Sequence, residues 1–258
     1  MNELIDKAAQ KKVGLLVASP LSYCLRAIFA GIFLTFGTAV AMMIANNLYH
    51  LDPAIAKIAY ALLFPWGLVM IIMMNAELAT SNMMYTSYAT GRGSISIGDQ
   101  VKVLLTCTTM NLLGSVVIAW ALSQTAIFNQ IDDSHYLFYS VQTKIDKAWG
   151  LVFFDAILAN ILVNIAIVGS LRIKENAAKI IYIIGVIFIF AYFGFEHVIA
   201  NFGSFSLVAF TQPQVVDNFQ VTSILIHWLL AFLGNFVGGG LCIGLAYGWL
   251  NKHQEYLD

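Results

Sequence analysis

Apolar residues along this chain neither alternate nor mark a single helical face. They form long runs separated by short polar stretches. A run of about 20 apolar residues matches the thickness of a bilayer core, so each predicts a membrane-spanning helix. The first covers about 25–45, and Asn46, Asn47, His50, Asp52 and Pro53 make the turn after it. The second starts near 54 and continues to about 88, too long for one span, with the polar interruption NAELATSN at 75–82. The third covers about 101–122, and a polar connection at 123–147 leads to the fourth at about 149–171. The fifth, about 178–210, is again overlong and breaks near 196–201. A loop at 211–217 containing Pro213 precedes the sixth, about 221–250, which carries Gly238, Gly239 and Gly240. Small residues let helices approach closely in lipid. Irregular backbone at membrane depth is tolerated where it is enclosed by protein or lines a cavity, so the two interruptions predict broken helices around a site. Segment 1–24 mixes charges with apolar residues, lacks a signal-peptide cleavage pattern, and reads as an amphipathic helix at the membrane surface. Residues 25–251 then form one transmembrane domain, and 252–258 a tail.

The two halves echo one another. Glu77 and Asn82 keep the spacing of Glu196 and Asn201. Ala27, Ile28 and Ala30 match Ala156, Ile157 and Ala159, and Leu113–Gly114 resembles Leu233–Gly234. Each half, about 25–123 and 149–250, holds three spans with the middle one broken. Three is odd, so the halves are inverted in the membrane, and paired broken helices in inverted repeats point to a transport site near the midplane. Six spans leave both termini on one side. Of the 13 Lys and Arg, Lys7, Lys11, Lys12, Arg26, Arg92, Lys102, Arg172, Lys174, Lys179 and Lys252 fall on that side. Only Lys57, Lys144 and Lys147 fall on the other, which predicts cytoplasmic termini.

Composition agrees with this architecture. The 258 residues are 60% hydrophobic and 10% charged, against about a quarter charged in soluble domains. Mean hydropathy is +0.79. The fold class is an all-α polytopic membrane protein. A net charge of -1 argues against nucleic acid as a partner. Cys24, Cys107 and Cys242 lie far apart without metal-ligand spacing and read as reduced structural thiols, so no metal or cofactor is expected.

The chemistry centres on Glu196 and His197, adjacent ionisable residues in an apolar run. Such groups at bilayer depth are expensive and usually face a cavity, pathway or partner. His197 reads as a proton-exchanging group, with a satisfied structural histidine as the alternative. Glu77 and Glu196 read as carboxylates that hold their loops by accepting backbone N–H bonds, the rival being a direct proton relay. The hydroxyl of Thr80 either meets the solute or caps a half-helix. His227, at the start of the sixth span, reads as interfacial, and Asp155 as near a pore mouth or subunit contact. His50, His135 and His253 lie in loops or the tail. A haem held by His197 and His227 is a competing reading, which the overlong broken helices disfavour. No H-E-x-x-H, G-x-S-x-G or N-P-A signature is present.

The motifs NAELATSNMM at 75–84 and GFEHVIAN at 194–201 resemble those of the formate–nitrite transporter family, and the resemblance covers 26–251. Phe64 and Leu68 stand sixteen and twelve residues before Thr80, and Phe190 seven before His197, matching the family's spacing of aromatic and leucine constrictions. The resemblance implies an aquaporin-like protomer in a homopentamer, one pore per protomer, in the bacterial inner membrane. It implies transport, with no enzymatic activity, of small monovalent anions of weak acids: formate foremost, with nitrite, hydrosulfide or lactate as alternatives. It makes Lys147, with Lys144 nearby, the lysine that attracts the anion, and Asn160 the asparagine that contacts the central histidine. Asn82 and Asn201 belong with the glutamates as loop-stabilising residues. Where the family has a cysteine and a small residue, this chain has Ala159 and Val198.

Overall fold

The computed structural model describes residues 2–251, so the expected tail with Lys252 and His253 lies outside the described residues. Among those described, the regular structure is helical throughout. Helix α1 (Asn2–Ala18) precedes α2 (Pro20–Tyr49), whose first turn accommodates Pro20 because that position needs no N–H partner. Asn46 and Asn47 continue α2, so the turn is confined to His50–Asp52, shorter than expected. The Asp52 carboxylate accepts the Ala54 N–H at 2.7 Å and starts α3 (Pro53–Leu63). Pro65 then kinks the span, since it supplies no N–H to the helix, and α4 (Trp66–Met73) completes it. A break at 74–78 leads to the half-helix α5 (Ala79–Gly91), which returns to the side of the termini. Helix α6 (Ile97–Ser123) opens on Ser96, whose hydroxyl accepts the Asp99 N–H.

The connection expected as merely polar contains α7 (Ala126–Asn129) and α8 (Tyr136–Ile145). Leu137, Phe138 and Val141 bury one face of α8 beneath Phe205 and Val208, so tertiary packing gives order to a segment whose polar residues alone suggested a loop. Helix α9 (Trp149–Arg172) precedes α10 (Asn176–Phe193), which ends on Gly194 at φ 71°. A second break at 194–197 leads to the half-helix α11 (Val198–Phe210). Helix α12 (Val221–Asn235) runs into a π-helical segment, Phe236–Leu245, and a last turn, α13 (Ala246–Leu250).

Among the described residues, six helices or helix pairs are long and apolar enough to cross a membrane. Their outward positions, among them Phe29, Leu105, Val117, Phe154 and Leu229, are exposed and suit a lipid or subunit face. Trp120, Trp149 and Trp249 stand exposed at or near helix ends, where interfacial tryptophans concentrate.

The inverted repeat is visible in the forces as well as the path. Each break opens on a left-handed residue, Asn75 at φ 53° and Gly194 at φ 71°. A cation takes each of their carbonyls: Arg26 Nη1 at 2.8 Å from Asn75 O, and Lys147 Nζ at 3.2 Å from Gly194 O. Gly114 lies against the Ile28 carbonyl and Gly238 against the Ile157 carbonyl, both too close for a Cβ. Gly114 therefore pairs with Gly238, one turn beyond the Gly234 suggested by the Leu-Gly match.

Helix α1 does not lie free at a membrane surface. Ile5 and Ala9 are buried in the main core, and Asp6 binds Arg92 at 2.8 Å and the Ser94 hydroxyl at 2.9 Å. Arg92 Nη1 also reaches the carbonyl of Asn251 at 2.8 Å, so both ends of the described chain share one face.

Candidate functional site

The breaks place residues 78 and 197 at equivalent positions, each just before a half-helix. At the second stands His197, 3% exposed. Its Nδ1 accepts the Ala200 N–H at 3.3 Å, capping α11, and its Nε2 lies 2.8 Å from Thr80 Oγ1. In the neutral ring Nδ1 is thus the acceptor, and the proton sits on Nε2, facing Thr80. At the first stands Leu78, fully buried, whose side chain faces the same narrow chamber as His197.

That chamber is narrow and almost wholly apolar in its lining. Phe64 and Phe190 close it on one side with ring centroids 5.3 Å apart in an edge-to-face contact. Leu68 and Leu78 line it together with Val163 and Ile187. The imidazole is its one titratable lining group. Beyond Phe64 and Phe190 opens a vestibule of ≈ 310 Å³ that carries Lys57, Lys144 and Lys147 and the rings of Tyr60 and Tyr136. His197 borders both spaces, and Phe190 stands between, 6.0 Å from the imidazole ring centre.

Two expected members of the pathway sit behind its wall. Thr80 is fully buried and faces the imidazole rather than the cavity. Asn160 does not contact His197: its Nδ2 donates to the Thr80 carbonyl at 3.1 Å and the Asn235 carbonyl at 2.7 Å, tying α9 to both half-repeats. The expected direct contact is replaced by a link through Thr80.

The glutamates also work differently from expectation. Among the described residues, neither carboxylate takes a backbone N–H. Glu77 accepts from Lys12 Nζ at 2.6 Å and Asn82 Nδ2 at 3.1 Å. Glu196 accepts from Lys147 Nζ at 2.6 Å, Lys144 Nζ at 2.8 Å and Asn201 Nδ2 at 2.9 Å. Lys147 also reaches Asp155 at 2.7 Å, which places Asp155 behind a vestibule lysine. Side-chain cations reach the carboxylates first because the break backbone is already held by two asparagines. Asn111 accepts the Ala79 N–H at 2.9 Å and donates to Ala27 O at 2.7 Å and Glu77 O at 2.9 Å. Asn235 accepts the Val198 N–H at 2.9 Å and donates to Ala156 O at 2.8 Å and Glu196 O at 3.0 Å.

Sequence reading missed Leu78, Asn111, Asn235 and Lys12. Its signal for the asparagines was present: each lies inside an apolar span three residues before a glycine, as N-L-L-G and N-F-V-G. His227 is corrected too. It is 5% exposed and lies 3.7 Å from Glu196 Oε2, within protein and not at an interface.

Inverted three-helix repeats, two half-helices whose starts meet at the Thr80–His197 contact and an imidazole beside an apolar chamber make the architecture of a membrane channel or transporter. The sequence profile described as formate/nitrite transporter matches residues 1–249, and the chain belongs to that family. It is 28% identical to the uncharacterized transporter YwcJ of Bacillus subtilis, over 97% of each chain. It is 29% identical to the nitrite transporter NirC of Escherichia coli, over 89% of this chain and 83% of that one. It is also 29% identical to the formate channel FocA of Haemophilus influenzae, over 77% and 75%. Among solved structures, an FNT family ion channel superposes with a TM-score of 0.89 at 24% identity, covering 96% of this chain and 98% of its own. A pentameric formate channel with formate bound superposes with a TM-score of 0.76 at 22% identity, covering 96% and 99%.

Proposed function

We propose that this protein carries small monovalent anions of weak acids, formate first, across a bacterial cytoplasmic membrane. It does so as a homopentamer with one pore per protomer and both termini in the cytoplasm. The observation that carries this reading is the buried His197–Thr80 contact at 2.8 Å beside a chamber closed by Phe64 and Phe190. Relatives named as formate channels and nitrite transporters support the substrate class.

A bare carboxylate leaving the vestibule for the apolar chamber loses hydration that nothing in the Leu68–Leu78 wall replaces. Vestibule lysines gather the anion: Lys57 is exposed and stacks over Tyr192 at 4.8 Å, while Lys144 and Lys147 are shared with Glu196. Past Phe190 the solute meets the imidazole. A proton taken up by the ring enters at Nδ1, in competition with the Ala200 N–H, and gives an imidazolium that neutralises the incoming charge. Passing that proton to the anion leaves a neutral acid in the chamber, a neutral ring, and the α11 cap restored. Thr80, held through its carbonyl by Asn160, fixes the ring's orientation.

The test is uptake of labelled formate, nitrite, hydrosulfide and lactate into proteoliposomes at two pH values, for the parent and His197→Asn. Asparagine keeps a capping acceptor for α11 but binds no proton. Formate uptake is expected to lose its pH dependence while the pentamer persists. An unchanged pH profile removes the proton-exchange role, and no uptake of any of the four anions removes the transport assignment.

A further inference from the structure

Helix α12 carries a second buried imidazole that the transport reading leaves unused. Among the described residues, neither ring nitrogen of His227 has a hydrogen-bond partner. Its Nε2 stands 3.7 Å from Glu196 Oε2, just beyond hydrogen-bond range, and its ring packs on Phe205 at 5.1 Å. An unpartnered buried polar ring is costly and calls for a physical reason. The fold does not supply one. In the inverted repeat Asn111 matches Asn235, and the position eight residues before Asn111 is Val103, fully buried and apolar. The same site in the other half is thus filled without an imidazole.

The surroundings of His227 are charged and balanced. Glu196 faces it from the break, Lys144 from α8 and Lys147 from the connection to α9, with Asp155 of α9 behind Lys147. Two carboxylates meet two ammonium groups, so a neutral His227 leaves the cluster without net charge. Glu77, by contrast, has one described lysine partner, Lys12. Glu196 Oε2 is the contested atom. It already accepts from Lys144 Nζ at 2.8 Å and from Asn201 at 2.9 Å, and His227 waits on its third side. Both Lys144 and Glu196 border the vestibule.

We propose that His227 is a proton-operated competitor for Glu196, which on acidification of the vestibule side closes onto Oε2 and releases the Lys144 ammonium into the vestibule as an anion-capturing charge. The proton passes from solvent hydronium to the imidazole, one N–H bond replacing one O–H bond, and no bond between heavy atoms changes. The cluster gains one positive charge, and a flexible lysine stem carries it towards the incoming anion. His227 is a positioning residue: it acts through Lys144 and touches no substrate. The inference rests on the transport reading and adds a pH-dependent capture step distinct from proton exchange at His197.

The two steps separate in kinetics. Capture sets KM, and the His197 step sets the maximal rate. Initial formate uptake is measured in cells expressing the full chain, with external pH varied from about 8 to about 5.5, the range over which imidazoles titrate. The free-acid leak is subtracted using cells that lack the protein. The parent is expected to show about a threefold fall in KM on acidification, the size of one unit charge acting across a few ångströms of nearly bulk solvent. His227→Val, which copies Val103, is expected to flatten that change while the pentamer and the pH dependence of the maximal rate persist. Lys144→Gln, which removes the released cation but leaves His227 in place, is expected to flatten it equally. A parental KM profile in either variant overturns the inference and leaves the transport reading standing. Absence of formate uptake by the parent overturns both.

Discussion

The asparagine pair offers the sharpest test of how the breaks are held. Replacing Asn235 by leucine keeps the branched shape, at a larger volume, and removes three contacts at a position with 0% exposure. The Val198 N–H loses its acceptor at 2.9 Å, and the carbonyls of Ala156 and Glu196 lose donors at 2.8 and 3.0 Å. Hydrogen bonds between membrane helices average about 0.6 kcal/mol, so three give a floor of about 2 kcal/mol. Buried groups left without partners cost about 1–3 kcal/mol each, which sets a ceiling of about 9 kcal/mol if none relaxes. The assay is unfolding in mixed detergent micelles followed by SDS titration, with formate uptake measured on the folded fraction. Uptake is expected to fall further than stability, because the freed groups flank His197 and misplacing a reacting group by about 1 Å costs on the order of a hundredfold. Asn111→Leu is expected to lose a similar amount of stability, since it breaks the matching bonds to Ala79, Ala27 and Glu77. An Asn235→Leu protein within about 0.5 kcal/mol of the parent, with uptake intact, would refute the claim that this side chain holds the second break.

Two other expectations follow from the geometry. Phe190→Ala opens the edge-to-face contact with Phe64, so discrimination of formate against lactate is expected to fall by about tenfold, the scale of a small size difference in an apolar pocket; an unchanged ratio in competitive uptake excludes Phe190 as the gate. His135 caps α8 by accepting the Leu137 N–H at 3.1 Å, and burial pushes its pKa down from 6.5 to about 4. The folded segment therefore refuses a proton that the unfolded segment takes: the stabilisation is whole above pH 6.5 and is lost as pH falls towards 4, by about 3 kcal/mol at most. Hydrogen-exchange protection of α8, corrected for the chemical rate, is expected to drop between pH 7 and pH 5 in the parent and to stay level in His135→Asn; equal drops in both would exclude His135 as the cause.

The spans, the breaks, the inversion of the halves and the pairing of Glu77 with Glu196 follow from one-dimensional rules, because lipid forces long apolar runs and makes each polar interruption conspicuous. His197 was legible for the same reason, while Phe64 and Phe190, ordinary apolar residues in apolar helices, stood out only because their spacing matches that of the family the chain resembles. What the glutamates bind was not. A carboxylate accepts equally well from a backbone N–H and a lysine, and the choice depends on which donors three-dimensional packing leaves free. Asn111 and Asn235 occupy the backbone groups, so lysines from α1, α8 and the α8–α9 connection take the carboxylates. Order in α7 and α8 likewise depended on an apolar surface supplied by α11, and the docking of α1 on Glu77 and Arg92.

The sequence by itself determined the number of spans, their inverted pairing and the place of the titratable ring at the second break, because each is set by where a polar residue interrupts an apolar run. The tertiary structure alone decided which polar groups face solute and which face one another. Thr80 and Asn160 turn inward to orient His197, and His227 turns towards Glu196, since an apolar medium leaves a polar side chain no partner except another buried one, and only folding determines which is within reach.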